Sequence, residues 1–287
     1  MVTKELDFFD IARICDSGQC FRMEKLGDMR YRVMARDRCL EVEQQGKNVT
    51  FFCDGEDFSA FWEGYFDLDS DYGIYIERIN PKDRYLTMAA QKGSGIRILR
   101  QDLWEMIISF LISQQNHIAR IRRCIENICR RYGKALQAEG NLSETMIPAG
   151  GGAKVRSAMG LYAFPTPEEL ARATEEELRE CNLGYRAKYV LRAAWDVASG
   201  RISLEKISEM DYPEAKEELL KLYGAGDKVA DCICLFALHQ LQAFPVDTHI
   251  RQVLDQHYKR GFPKRRYKGM EGIMQQYIFY YELTKGE

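Results

Sequence analysis

The chain predicts an α+β protein: an antiparallel β-sheet unit over about residues 1–70, then a mainly α-helical unit over 71–287. Two patterns predict this. Tyr31, Val33 and Ala35 alternate with polar residues, as do Leu40 and Val42, and Val49-Thr50-Phe51-Phe52 follows a turn at Gly46. That is the period of strands with one buried face. From Tyr72 onward the apolar residues instead recur at helical spacing, in short segments that start on capping residues.

A chain of 287 residues can bury a large core and fits two packed units. It has no apolar run of 18 residues, and Met1 to Asp10 is charged from Lys4 on, unlike a signal peptide. A soluble, intracellular protein with no membrane partner is therefore expected. The nine cysteines are scattered, and neither Cys124/Cys129 nor Cys232/Cys234 has structural zinc spacing, so no metal site is expected. A net charge of −2 argues against a nucleic-acid binder, but its distribution argues for one. Residues 54–71 hold seven acids and no base, 117–134 six bases and one acid, and 251–268 seven bases and one acid. Either basic run could bind phosphates or be ordinary solvated helix surface.

In chain order, Ser17-Gly18-Gln19-Cys20-Phe21-Arg22 precedes the first strand and reads locally as a strand-entry turn. Helices are expected over 72–79, 81–91, 102–113 and 117–131, the last closed by Gly133. Between the third and fourth, Gln114, Gln115 and Asn116 put three amides at a tip, where Asn116 would cap the next helix. Residues 146–159, with Gly150 to Gly152, read as a mobile loop. Thr166 and Thr174 each start a helix with a glutamate three residues on. Gly184 reads as a helix stop and Tyr185 as a packing residue.

A helix over 210–222 then leads into Gly224 and Gly226, both able to take φ > 0, with Asp227 as cap of a helix over 228–239. Hairpin amides plus a helix N-terminus make an anion site, though turn chemistry alone fits an ordinary αα-hairpin equally well. Lys228 sits at the positive end of that helix, against the dipole preference. A lysine of ordinary pKa ~10.4 is about one part in a thousand neutral at pH 7, so a nucleophilic amine needs a shift worth ~4 kcal/mol. The dipole offers ~0.3–1 kcal/mol. Burial among Val229, Ala230, Cys232, Ile233, Leu235 and Phe236 would have to supply the rest. A lone lysine here is more simply a snorkelling surface residue. Asp247 alters the balance: as cap of a helix over 248–258 it stays ionised, placed to stabilise a cation or deprotonate an amine. Lysine, aspartate and a phosphate-binding hairpin together suggest Schiff-base attack on a sugar carbon of a nucleic acid. In the last helix, over 272–283, Gln275 and Phe279 share a face.

The run DKVADCICLFAL…PVDTH resembles the 8-oxoguanine DNA glycosylase/AP lyase branch of the helix-hairpin-helix DNA glycosylases. SGQ-x-F-R, ISF…IARI and LGYRA-x-Y are similar to further motifs of that family, so the resemblance runs from Gly18 to Phe279. It implies that Lys228 is the nucleophile at C1′ and Asp247 its charged partner. The Gly18 carbonyl would sense the N7–H of 8-oxoguanine, with Gln275, Phe279, Cys232 and Phe236 completing the base pocket and the C-terminal helix closing it. DNA contacts are implied at Gln115 and Asn116, which would fill the vacated space, at Arg120 and Arg186, which would read the opposite base, and at Tyr185, a wedge. Gly224, Gly226, Val229 and His249 complete the implied DNA-binding set. Two positions depart from the pattern: Tyr223 stands where the family has proline, and Gln115 where it has the space-filling asparagine. The latter position bears on opposite-base preference. The four-cysteine cluster loop of the endonuclease III branch is absent, so no iron–sulfur cluster is expected. The implied function is a monomeric base-excision repair enzyme on duplex DNA containing 8-oxoguanine, needing no cofactor, with room for a monovalent cation at the hairpin. A glycosylase for another damaged base and a non-catalytic helix-hairpin-helix DNA-binding protein are the alternatives.

Overall fold

The structure, a computed structural model, describes residues 1–136, 147–148, 154–155 and 161–286. Five antiparallel strands, β1 (Val2–Glu5), β2 (Met23–Gly27), β3 (Arg30–Ala35), β4 (Arg38–Gln45) and β5 (Asn48–Phe51), form one sheet in the order β1-β5-β4-β3-β2. Its register pairs Tyr31 with Val42 and Val33 with Leu40, so the alternating apolar residues share the buried face. The opposite face of β3 is covered too, contrary to the one-sided pattern expected. There Arg32 lies between Glu24 (3.5 Å) and Glu41 (2.8 Å), a buried ionic array that no alternation reveals. Helix α1 (Ile11–Asp16), α2 (Gly55–Asp57), a π-type turn over Phe58–Trp62 and α3 (Glu63–Tyr65) close this first core around Phe51, Trp62 and Phe66.

The helical unit follows: α4 (Tyr72–Glu77), α5 (Arg84–Gly93), α6 (Leu103–Ser113) and α7 (Ile118–Tyr132). Helix α5 starts three residues later than the sequence suggests, because Asp83 accepts from the Leu86 amide and caps it. After the short paired strands β6 (Ile147–Pro148) and β7 (Lys154–Val155) come α8 (Pro167–Ala171) and α9 (Glu175–Leu178). Both of these helices carry the expected capping boxes on Thr166 and Thr174. The rest of the expected loop over 146–159 lies outside the described residues. A distorted segment over Arg179–Leu183 and a 3₁₀ turn over Gly184–Arg186 lead into α10 (Ala187–Ala198). Then follow α11 (Leu204–Glu209), α12 (Tyr212–Leu219), α13 (Asp227–Phe236), α14 (Thr248–His257) and α15 (Glu271–Thr284). Gly133 is needed for close approach, not for a left-handed turn. Its φ is −83°, and a Cβ would run into the carbonyl oxygens of Ala163 and Cys129. No helix among the described residues is long and apolar enough to cross a membrane, and all nine cysteines are free.

Buried polar groups join the two units. Arg22 pairs with Glu105 of α6 at 3.4 Å, so the motif arginine fastens the sheet to the helices. Asp67 lies at the centre of a second junction, accepting from Arg100 (2.8 Å) and Tyr72 (3.0 Å) and facing His239 at 3.2 Å. Within the acidic run over 54–71, Asp57 pairs with Arg38, Glu63 with Lys4, and Asp67 is inside. Burial pushes the Asp67 carboxyl up, but His239 and Arg100 prevail and hold it at about 2. Its folded pKa thus lies below the ordinary ~3.9, so its contribution of about 2–3 kcal/mol is complete above pH ~4 and vanishes as pH falls towards 2. Asp67→Asn is expected to lower stability at pH 7 by about that amount and to flatten acid unfolding between pH ~4 and ~2, measured by urea titration. An unchanged acid slope would remove Asp67 from this role.

Candidate active site

The glycine hairpin follows from two different constraints. Gly224 has φ +89° and lies on the ring of Tyr189, where a Cβ would come within 2.7 Å of Cγ, so any side chain is excluded twice. Gly226, expected at positive φ, is extended at −112° and is itself the N-cap of α13. Asp227 is not the cap either. It is exposed and pairs with Lys216 (3.1 Å), which also holds the buried Asp231 at 2.9 Å. With no side chain capping α13, its first-turn amides stay free for an anion.

Lys228 projects from this turn into a cleft of about 810 Å³ between α6, α7, α14 and α15. Its Nζ is 3.4 Å from Ser113 Oγ and 5.2 Å from the centre of the Phe110 ring. Among the described residues no carboxylate forms an ion pair with it. The side chain is half-buried, whereas the sequence suggests full burial; its open side faces the cleft. Asp247 lines the same cleft and caps α14, its Oδ1 accepting from the Ile250 amide at 2.8 Å. The second carboxylate oxygen is not consumed by the cap.

Behind Lys228 the cleft deepens into a recess of about 50 Å³ lined by Gly18, Cys232, Phe236, Asp247, Gln275 and Phe279. The five residues that the family resemblance implies for one pocket, distant in sequence, thus meet beside the lysine. Gln275 is 4 % exposed and its Oε1 has no hydrogen-bond partner. A buried unpaired acceptor costs about 1–3 kcal/mol, so this oxygen awaits a donor. Burial pushes the Cys232 thiol up to about 11 against the pull of Lys228, leaving a neutral, apolar wall. Phe236 stacks on Phe110 (5.7 Å, 17°). Gly18 has φ +74° and lies against Phe279, whose Cε1 would be 2.9 Å from an added Cβ.

Sequence reasoning missed what holds this recess in place. The Gln19 amide donates to Ser17 Oγ and the Arg97 carbonyl, both at 2.9 Å, and accepts from the Leu99 amide at 2.9 Å. Gln276 donates to the Ser17 carbonyl at 2.5 Å. The Gly18 loop is thereby fixed from both sides. The adjacent glutamines in SGQ and in Gln275-Gln276 were the available signal.

At the cleft rim, Gln115 is exposed with φ +47°, a left-handed backbone that asparagine tolerates better than glutamine. Asn116 does not cap α7; His117 does, accepting from the Arg120 amide at 3.3 Å, while Asn116 bonds the Ile112 carbonyl at 3.2 Å. Arg120 is exposed on the first turn of α7. Tyr185 is 43 % exposed, with the Arg186 guanidinium 4.5 Å over its ring. Arg186 itself is buried. It donates to the carbonyls of Gln114 (2.7 Å) and Gln115 (2.8 Å), clamping the turn that presents Gln115. Val229 is buried, leaving its amide as the group open to a ligand; His249 is exposed at the edge of Phe279.

Residues 1–107 match the family model of the 8-oxoguanine DNA glycosylase N-terminal domain, and 108–274 that of the HhH-GPD superfamily of base-excision DNA repair proteins. An N-glycosylase/DNA lyase of Saccharomyces cerevisiae is 34% identical over 71% of this chain, which spans about half (52%) of that protein. A probable N-glycosylase/DNA lyase of Methanothermobacter thermautotrophicus is 30% identical over 77% of this chain and 72% of its own. Among solved structures, the Clostridium acetobutylicum 8-oxoguanine glycosylase/lyase, in complex with duplex DNA containing cytosine opposite 8-oxoguanine, superposes with a TM-score of 0.85. It is 34% identical, over 98% of this chain and 94% of that one.

Proposed function

From the premise that this chain belongs to the 8-oxoguanine DNA glycosylase family of helix-hairpin-helix repair proteins, we propose that it excises 8-oxoguanine from duplex DNA and then cuts the strand. The unpaired Gln275 Oε1 behind Lys228 is the observation that carries this reading. A flipped purine supplies what the recess lacks: N–H donors on its Watson–Crick edge for Gln275 and a face for Phe279 and Cys232. The Gly18 carbonyl accepts from the N7–H of 8-oxoguanine, a donor that guanine does not have. One such bond is worth about 1–3 kcal/mol when unmade, which is real but modest discrimination.

The chemistry then runs through this chain's own groups. The neutral Lys228 amine attacks C1′, the glycosidic bond breaks, and its electron pair leaves with the base, which takes a proton. Asp247 stabilises the cationic sugar and accepts a proton from the attacking amine. Ring opening gives an imine; loss of a C2′ proton expels the 3′ phosphate, and hydrolysis of the imine frees Lys228. The bound duplex and base cover the open side of Lys228, completing the desolvation that the protein alone leaves partial. The reaction needs no cofactor. The protein acts as a monomer, inside the cell where its DNA substrate lies.

Single-turnover assays on duplexes carrying 8-oxoguanine, guanine or 3-methyladenine test the assignment: only the first is expected to release base and yield a cleaved strand. Release of the alkylated base instead would assign the pocket to another lesion. Gln275→Ala is expected to weaken 8-oxoguanine duplex binding about 5- to 150-fold, the equivalent of 1–3 kcal/mol, while leaving abasic-site duplex binding nearly intact. Equal loss on both duplexes would place Gln275 outside the pocket's recognition role.

A further inference from the structure

The two basic runs in the sequence differ in how many of their charges find partners. In 117–134, Arg130 pairs with Glu126, Arg131 with Glu177 and Glu180, and Arg122 with the Cys15 carbonyl. In 259–268 all six bases are exposed, and none forms an ion pair among the described residues. Lys82 and Arg84, at the start of α5, are equally exposed and unpaired, and border a groove of about 670 Å³ that Lys259 and Arg260 also line. The acid lining it, Asp83, already accepts from the Leu86 amide and Tyr258 (3.1 Å).

The segment is also held rigidly. Phe262 stacks on Phe244 (4.8 Å) and Tyr267 (5.5 Å), and Tyr267 and Met270 are fully buried. Bare charges on a fixed backbone, in a protein whose net charge is −2, form a concentrated cationic surface rather than a mixed solubilising one. Its position gives it an occupant. Helix α14 begins in the cleft, with Asp247, His249 and Arg251 among the lining, and ends in this groove at His257. Ten residues of helix span about 15 Å, or four to five base pairs of duplex at about 3.4 Å each.

We propose that residues 259–268, with Lys82 and Arg84, are a second DNA-binding surface that grips the phosphate backbone of the duplex arm beside the lesion. It rests on the reading that the cleft binds duplex DNA. The surface reads no bases; it supplies sequence-independent, salt-dependent affinity and holds one arm while the cleft engages the flipped nucleotide.

The experiment uses two 8-oxoguanine duplexes, each with an arm of about 12 base pairs on one side of the lesion and about 4 on the other, in mirror arrangement. Affinity is measured from low to moderate salt for the wild type, for K259S/R260S, and for K82S/R84S. Both variants are expected to lower the salt slope by about 2 on one of the two duplexes, roughly 0.9 for each phosphate no longer neutralised, with little change on the other. Single-turnover excision at saturating enzyme should stay at the wild-type rate, which also reports an intact fold. An unchanged slope on both duplexes, or an equal loss on both, overturns the proposal. If the wild type neither binds nor excises the lesion, the cleft reading itself fails, an outcome separable from either.

Discussion

Lys228→Gln is expected to slow base release by on the order of 10³-fold or more while leaving lesion-duplex affinity within a few-fold of wild type. The reasoning is local. Glutamine keeps most of the side chain's length, so it can still lie over Phe110 and reach Ser113 at the cleft wall. No ion pair is lost, because Lys228 has none among the described residues, so the surrounding fold has little reason to move. What disappears is the one amine that lines the recess among the described residues. Single-turnover kinetics with a parallel binding titration separate the two effects. A variant that released base at near wild-type rate would mean that water, not Lys228, is the nucleophile.

Asp247→Asn is expected to lower the rate by on the order of 10²-fold with little change in thermal stability. Asparagine caps a helix about as well as aspartate, so the acceptor for the Ile250 amide survives while the negative charge does not. Asp247→Ala should show the same kinetic loss and, in addition, about 1 kcal/mol of lost stability from the missing cap. Thermal melts and single-turnover rates on the two variants divide the structural duty of Asp247 from its electrostatic one. A full-rate asparagine variant would reduce Asp247 to a cap.

Much of this architecture is legible in sequence because it follows from local rules. The alternation at Tyr31, Val33, Leu40 and Val42, the capping boxes at Thr166 and Thr174, and the cap at Asp247 each depend on a few neighbouring residues. The errors arise where a remote partner decides. Asp227 looks like a cap, but Lys216, one helix earlier, draws its carboxylate away. Asn116 looks like a cap as well, but its amide bonds the Ile112 carbonyl and His117 caps the helix instead. In the basic run over 117–134, the acids that pair with Arg131, Glu177 and Glu180, lie about fifty residues away in the chain. Among the pocket residues, Gln275 and Phe279 share a helix face that spacing alone reveals. Their meeting with Gly18 depends on Gln19 and Gln276, whose bonds span the two units.

Borohydride trapping on an 8-oxoguanine duplex, followed by mass mapping of the cross-linked peptide, tests the central claim most directly. Reduction of the imine should leave a stable secondary amine joining the deoxyribose to the peptide that contains residue 228. Base release without any covalent adduct, or an adduct mapped to a different lysine, would contradict the assignment of Lys228 as nucleophile.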